Sequence, residues 1–133
     1  MDNLYIPPTH ETPEINFQFD KHTLHINGES YPENAMAFYA PIRASLQSYL
    51  ERAPKGQEIT AYFNLRYFNS SSTKLIRSMI ALMHETASSG KKISAHWYHD
   101  PEDDMMQEFG LDLKEEFTLL NFQVLSLETA CTV

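Results

Sequence analysis

Apolar and polar residues alternate near the start of the chain, and this pattern predicts two paired strands. Ile15, Phe17 and Phe19 alternate with polar residues, and a similar alternation resumes after a short polar break. A period of two places the apolar side chains on one face of a strand, so a β-hairpin is expected. We expect Gly28 to end the hairpin and the proline-containing segment 1–13 to form an extended lead-in.

A helix is predicted to follow the hairpin. Ser30 and Glu33 have capping-box spacing, in which each side chain satisfies a backbone N–H group of the other residue. Apolar residues then recur at helical spacing as far as Arg52. Because Pro41 cannot donate a hydrogen bond to the carbonyl four residues earlier, we expect a kink or a break near residue 40.

Strand and helix patterns alternate through the rest of the chain. Period-two alternation predicts strands over Glu58 to Phe68, Lys92 to Tyr98 and Asn121 to Leu127. Between the first two, apolar residues from Leu75 to Ala87 fall on one helical face, and Gly90 follows as a C-terminal stop. These are the clearest regular elements of the sequence.

A third helix is expected between the last two strands. Asp100 can cap it, Pro101 can open it and Gly110 can close it, with a further helical turn between Asp112 and Leu119. The resulting order predicts an α/β fold for a single domain over residues 1–133. In this fold the N-terminal β-hairpin joins a mixed, mostly parallel central sheet packed by helices.

Composition narrows the possible functions. The formal charge of −8, without a cluster of basic and aromatic residues, argues against a nucleic-acid partner. No stretch approaches the roughly 20 apolar residues of a membrane span, and no secretory leader is seen, so we expect a cytoplasmic protein. Cys131 is the single cysteine and is expected to be a free thiol. With four glycines and no phosphate-binding loop, no cofactor is predicted.

Catalytic motifs are also missing, which favours a protein that is not an enzyme. A small metal-dependent hydrolase using His96, His99 and the stretch Asp100 to Asp104 is the alternative. Two histidines three residues apart on a strand tend toward opposite faces, and acidic residues at a helix start complement the helix dipole without a metal. A metal site is therefore not predicted.

The strongest candidate site is a hydroxyl-rich turn between the clearest strand and the clearest helix. Asn69 is followed there by four consecutive hydroxyl residues, Ser70 to Thr73. The first N–H groups of a helix have no internal partners and carry partial positive charge, so a phosphate is tolerated at such a place. One hydroxyl can cap the helix, and Asn69 can bond nearby backbone in an Asx turn.

Motifs in the same order along nearly the whole chain resemble those of the SiaC family of bacterial regulatory phosphoproteins. They are Gly28-Glu29-Ser30-Tyr31-Pro32-Glu33-Asn34, Tyr67-Phe68-Asn69-Ser70-Ser71-Ser72-Thr73-Lys74, and Trp97-Tyr98 followed by an acidic stretch. The resemblance implies a STAS-like fold, related to that of anti-sigma-factor antagonists, and a role in cyclic-di-GMP signalling by partner switching.

In that scheme the unphosphorylated protein binds and activates a GGDEF diguanylate cyclase. A Ser/Thr protein kinase modifies the hydroxyl turn and a PP2C-type phosphatase restores it. The phosphoacceptor follows the Asn of the motif and is typically Thr, which makes Ser70 the expected acceptor and Ser71 the runner-up. The resemblance also implies a set of partner-binding residues, which are Tyr31, Pro32, Glu33, Asn34, Tyr67, Asn69, Ser71 and Ser72. An adaptor in which the hydroxyl run only caps a helix remains a further alternative.

Overall fold

The computed structural model describes residues 2–127, and its strands form one six-stranded sheet. The strands are β1 (Leu4–Ile6), β2 (Glu14–Gln18), β3 (Thr23–Ser30), β4 (Glu58–Phe68), β5 (Lys92–His99) and β6 (Asn121–Ser126). They lie in the sheet in sequence order. The pairings β1 with β2 and β2 with β3 are antiparallel, whereas β3 to β6 run parallel to one another.

Three helices connect the parallel strands. They are α1 (Ala35–Arg52), α2 (Ser70–Ala87) and α3 (Asp104–Glu116). Connections between neighbouring parallel strands are right-handed. Because β3 to β6 lie in sequence order, all three connections move across the sheet in the same direction, and their helices lie on the same face. The core lies between that face and the helices, and its largest buried side chains include Phe63, Trp97 and Tyr39. Across residues 2–127, no helix combines the length and the apolar character needed to cross a membrane.

The predicted fold class is confirmed. The N-terminal hairpin is β2 with β3, the central strands are parallel, and β4 has the predicted bounds. The lead-in is not extended chain alone, since Leu4–Ile6 pairs with β2 as an additional edge strand. Cys131 lies outside the described residues.

The prediction that Gly28 ends the hairpin and Ser30 caps the first helix is wrong. Gly28 has a φ of +133° and the register shifts between it and Glu29, so the strand bends there and continues to Ser30. Asn34 is the N-cap, and its side-chain oxygen accepts a hydrogen bond from the backbone N–H of Ala37. Ser30 does not cap the helix, because it is paired with β4 as part of the strand and its side chain is buried.

A kink or a break was predicted near residue 40, and a break is absent, because α1 runs continuously through Pro41. A proline inside a helix leaves the carbonyl four residues earlier without its helical bond. That carbonyl belongs to Ala37, and both Ala37 and Pro41 are exposed. Water can therefore satisfy the carbonyl, and the buried face of the helix is maintained.

The third helix differs from its prediction. It is one continuous helix that begins after Asp103, whose carboxylate accepts a hydrogen bond from the N–H of Met106 at 3.0 Å. Gly110 lies inside this helix and does not end it. A Cβ atom at Gly110 would stand 2.4 Å from Cδ1 of Trp97, so the glycine allows close packing of α3 on β5.

Candidate functional site

The site is built where the parallel strands end. Ser30 pairs with Phe68 at the carboxyl ends of β3 and β4, so the loops that follow these strands start side by side. The N–H of Asn69 donates to the carbonyl of Ser30 at 2.9 Å, and this bond joins the two loops directly. The rings of Tyr31 and Tyr67 meet edge to face with centroids 5.8 Å apart. The loop that begins at Tyr31 therefore lies beside the hydroxyl turn.

Asn69 organises the hydroxyl turn. It is the N-cap of α2, and its Oδ1 accepts a hydrogen bond from the backbone N–H of Ser72 at 2.9 Å. Its carbonyl accepts from both the N–H and the hydroxyl of Thr73, at 3.0 and 2.9 Å. The cap is therefore Asn69 and not one of the four hydroxyl residues. The Asx-type bond expected for this residue is present.

A buried chain of three hydroxyl groups lies beneath the turn. Ser30 Oγ is 2.6 Å from the phenol oxygen of Tyr39 and donates to Ser72 Oγ at 2.8 Å. Because Ser30 has one proton to give, Tyr39 is the donor to Ser30. The two serines are fully buried and Tyr39 is nearly so. Burial raises the pKa of Tyr39 to about 12, against the opposing effect of its bond to Ser30, so the phenol keeps its proton.

This arrangement divides the four hydroxyls into two pairs. Ser72 is bonded inside the protein and Thr73 is bonded to the backbone of Asn69. Ser70 and Ser71 are exposed at the first two positions of α2. The first turn of α2 carries no acidic residue, so negative charge added there meets no existing carboxylate on that turn. Ser70 and Ser71 are thus the two fully exposed hydroxyls of the turn, and they are the two acceptor candidates from the sequence.

Most of the expected partner-binding residues lie at this end of the molecule. Glu33, Asn34 and Tyr67 are exposed, and Tyr31 is partly exposed. Pro32 and Ser72 are buried, so neither can offer its side chain to a partner without a rearrangement. The hydroxyl of Ser72 accepts a hydrogen bond from Ser30 and stabilises the turn from inside the protein, so Ser72 is not placed to contact a partner directly.

An apolar cavity beside the turn was not predicted. It has a volume of about 310 Å³, and its lining is mainly apolar, with Tyr67, Phe68, Met105, Met106 and Phe109 beside Thr73 and the charged residues Arg66 and Asp103. Met105 is 82% exposed, which is unusual for a large apolar side chain. Sequence patterns did not identify it because the apolar residues of the cavity come from two elements that are far apart in the chain.

The structure does not support the alternative metal site. His99 is buried and its Nδ1 donates to the carbonyl of Asp100 at 2.9 Å, while His96 lies on the opposite face of the sheet beside Tyr62. Asp103 is occupied as the cap of α3. Among residues 2–127, no group of three or more His, Cys, Asp or Glu side chains is placed to hold a metal ion.

Comparisons with known proteins agree with this fold and its motifs. A family model described as "SiaC family regulatory phosphoprotein" matches residues 6–127. An uncharacterized protein of Pseudomonas aeruginosa strain UCBPP-PA14 is 27% identical over 116 residues, which cover 87% of this chain and 90% of that protein.

Solved structures show the same architecture. SiaC of Pseudomonas aeruginosa superposes with a TM-score of 0.80 at 25% identity, covering 94% of this chain and 97% of that one. A chain in the crystal structure of the diguanylate cyclase SiaD in complex with its activator SiaC, from the same organism, gives a TM-score of 0.85 at 24% identity and covers 92% and 98% of the two chains.

The fold and these similarities place the chain in a family of regulatory proteins. The match over residues 6–127 spans nearly the whole chain, and the motifs around Ser30 and Asn69 lie together at one end of the sheet. The chain belongs to the SiaC family.

Proposed function

We propose that this protein is a non-enzymatic switch that binds and activates a diguanylate cyclase while its hydroxyl turn is unmodified. A Ser/Thr protein kinase phosphorylates Ser70, which releases the cyclase, and a PP2C-type phosphatase reverses the step. The observation that carries the proposal is the exposure of Ser70 and Ser71 at the start of α2, beside an apolar cavity. The SiaC fold, in a family whose Pseudomonas aeruginosa member is crystallised with the cyclase that it activates, supports the choice of partner.

The turn suits a reversible modification physically. A phosphate on Ser70 lies near the unpaired N–H groups at the helix start and four residues before the exposed Lys74, and both favour negative charge. The modified turn therefore remains folded. A partner that covers the turn and the neighbouring cavity has to desolvate a group of charge about −1.5 to −2, which opposes docking.

The acceptor is tested by binding measurements with the full-length chain. We expect Ser70→Asp, or phosphorylation of Ser70, to weaken cyclase binding by about tenfold or more, equivalent to ~1.4 kcal/mol. Ser70→Ala should bind like the natural protein and should no longer incorporate phosphate from the kinase. Isothermal titration calorimetry measures the first effect and intact-mass spectrometry the second.

Ser71 supplies a matched control, since it is the other exposed hydroxyl of the same turn. If Ser71→Ala abolishes phosphate incorporation while Ser70→Ala does not, the acceptor is Ser71 and the assignment to Ser70 is wrong. Equal cyclase affinity of the unmodified and singly phosphorylated proteins would contradict the switch itself.

Met105 tests whether the cavity belongs to the cyclase interface. Met105→Lys places a charge on the rim of an apolar surface, and we expect cyclase affinity to fall about tenfold without loss of folding. Gln107→Lys is the matched control, because Gln107 is exposed on α3 and does not line the cavity. Equal affinities of the two variants would exclude the cavity from the interface. The readouts are calorimetry and the rate of cyclic-di-GMP synthesis.

A further inference from the structure

The surface formed by α1 and α2 differs in charge from the rest of the molecule. Residues 34–50 and 59–84, which include most of both helices, contain no aspartate or glutamate, although the chain has a formal charge of −8. The Lys and Arg residues of the two helices in these stretches are Arg43, Lys74 and Arg77. Arg77 is paired with Glu116, whereas no carboxylate among residues 2–127 forms an ion pair with Arg43 or Lys74. This part of an acidic protein therefore carries unpaired positive charge.

A groove between α1 and α2 is apolar except for one cation in its wall. Its volume is about 390 Å³, and its lining includes Met36, Tyr39, Ala40 and Leu75 beside Arg43 and Ser78. Met36 is 62% exposed, which is unusual for a large apolar side chain. The described lining contains no carboxylate, and the nearest acidic residues in sequence, Glu33 and Glu51, precede and follow the lining residues of α1. The groove is therefore complementary to a surface that combines apolar groups with a carboxylate.

Arg43 is held in a defined position between the two helices. Its Nε–H donates to Oγ of Ser78 at 2.9 Å, and this bond joins α1 to α2. A guanidinium has five N–H donors, and the other four of Arg43 form no hydrogen bond with residues 2–127. The half-buried side chain is already ordered, so binding costs less conformational entropy than it would for a mobile arginine. Its two terminal nitrogens can donate side by side to one carboxylate.

The shape of the groove fits a helix. Its α1 wall is formed at steps of four, three and four residues by Met36, Ala40, Arg43 and Gln47. This wall is about 16 Å long, or roughly three helical turns. Amphipathic helices bind such grooves through their apolar face. We propose that the groove binds an amphipathic helix of the diguanylate cyclase, which packs apolar side chains on Met36 and Leu75 and pairs a carboxylate with Arg43. This inference rests on the proposed function, because it assigns a surface to the same partner.

The groove is continuous with the hydroxyl turn. Ser71, Leu75 and Ser78 are four and three residues apart, so they lie on the same face of α2. Ser70, the expected acceptor, is adjacent to Ser71. A phosphate there adds a charge of about −1.5 to −2 at the entrance of a groove that binds a carboxylate. Repulsion between the two anions gives a physical reason for the proposed release of the cyclase.

Charge disfavours the other occupants of the groove. The same groove on a second copy of the chain offers no carboxylate to Arg43. A nucleic acid is repelled by the formal charge of −8. A partner helix with an acidic residue is attracted by the unpaired cation and gains from burying Met36.

Calorimetry with the full-length protein and a diguanylate cyclase of the same host tests the charge contact. Arg43→Gln removes the charge, and its amide nitrogen occupies the place of Nε, so the bond to Ser78 can be retained. We expect cyclase affinity to fall about tenfold or more. Arg52→Gln is the matched control, because Arg52 is exposed in the last turn of α1 and does not line the groove. It should bind like the natural protein.

Two further measurements separate this contact from an effect on folding. Met36→Asp places a carboxylate in the groove wall and should weaken binding about tenfold or more, whereas Ala37→Asp, at an exposed position outside the groove, should not. Circular dichroism checks the fold of both variants. Between roughly 50 and 500 mM salt, the affinity of the natural protein should fall more steeply than that of Arg43→Gln, because the variant lacks the charge that salt screens.

Three results would overturn the proposal. In the first, Arg43→Gln and Met36→Asp bind the cyclase as tightly as their controls while phosphorylation of Ser70 still weakens binding, so the groove is excluded and the proposed function stands. In the second, Arg43→Gln keeps its cyclase affinity but no longer incorporates phosphate, which assigns the groove to the kinase. In the third, the natural protein does not bind the cyclase, and the proposed function fails together with the groove.

Discussion

Replacing Gly110 with alanine is expected to destabilise the protein by about 2 kcal/mol, although alanine is the better helix former. Alanine in a helix interior gains roughly 0.5–1 kcal/mol over glycine. Against this, the new Cβ would stand 2.4 Å from Cδ1 and 2.9 Å from Nε1 of Trp97. The indole cannot easily move, because it is 1% exposed and its N–H donates to the carbonyl of Met106 at 3.0 Å. The clash therefore outweighs the helix propensity.

Urea unfolding followed by the fluorescence of Trp97 measures this effect, since Trp97 is the single tryptophan. Gln107→Ala places alanine at an exposed position of the same helix and should change the free energy of unfolding by less than about 0.5 kcal/mol. If Gly110→Ala were as stable as the natural protein, α3 would have to pack farther from β5 than described.

The architecture was predictable because it depends on patterns that repeat along each element. The alternation from Glu58 to Phe68 and the helical face from Leu75 to Ala87 involve many residues, so one atypical residue does not alter the prediction. Pro41 is an example of such an atypical residue, since the apolar pattern continues on both sides of it and the helix does too. The additional strand Leu4–Ile6 was missed because three residues are too few to show a period.

Single-residue signals failed where tertiary contacts compete with them. Gly110 has the residue type of a helix stop, but the packing of Trp97 requires a glycine inside the helix. Ser30 and Glu33 have the spacing of a capping box, but Ser30 pairs with β4 and its hydroxyl is bonded inside the core. Neither Trp97 nor Ser72 is near these residues in sequence, so local spacing could not reveal the competition.

The candidate site was located by sequence, but its internal organisation was not. The position of Asn69 to Thr73 between a strand and a helix is a local property, and residues 31–34 could be placed beside it from the order of the strands. The division of the hydroxyls depends on Ser30, which is 42 residues from Ser72, and on Tyr39 in α1. Met105 and Phe109 join the site only through the folding of α3 over β5.

Aspartate scanning of Ser70, Ser71 and Ser72 should separate the surface of the turn from its interior. Ser70→Asp and Ser71→Asp place a carboxylate at exposed positions of the first helical turn, where the helix dipole contributes about 0.3–1 kcal/mol in favour of negative charge. We expect both variants to unfold at the same urea concentration as the natural protein or a higher one. Loss of cyclase binding in either variant then reports on the interface and not on folding.

Ser72→Asp should instead lower the free energy of unfolding by roughly 3 kcal/mol or more. The helix dipole favours this carboxylate as well, but Ser72 is fully buried. Its hydroxyl is bonded to that of Ser30, which is in turn bonded to the phenol of Tyr39. A carboxylate there loses its hydration without gaining a cation, and this cost exceeds the dipole term several-fold. Ser72→Ala controls for loss of the hydroxyl alone and should cost about 1 kcal/mol. Equal stability of the three aspartate variants in urea would mean that Ser72 is accessible, and Ser72 would again be a candidate for modification.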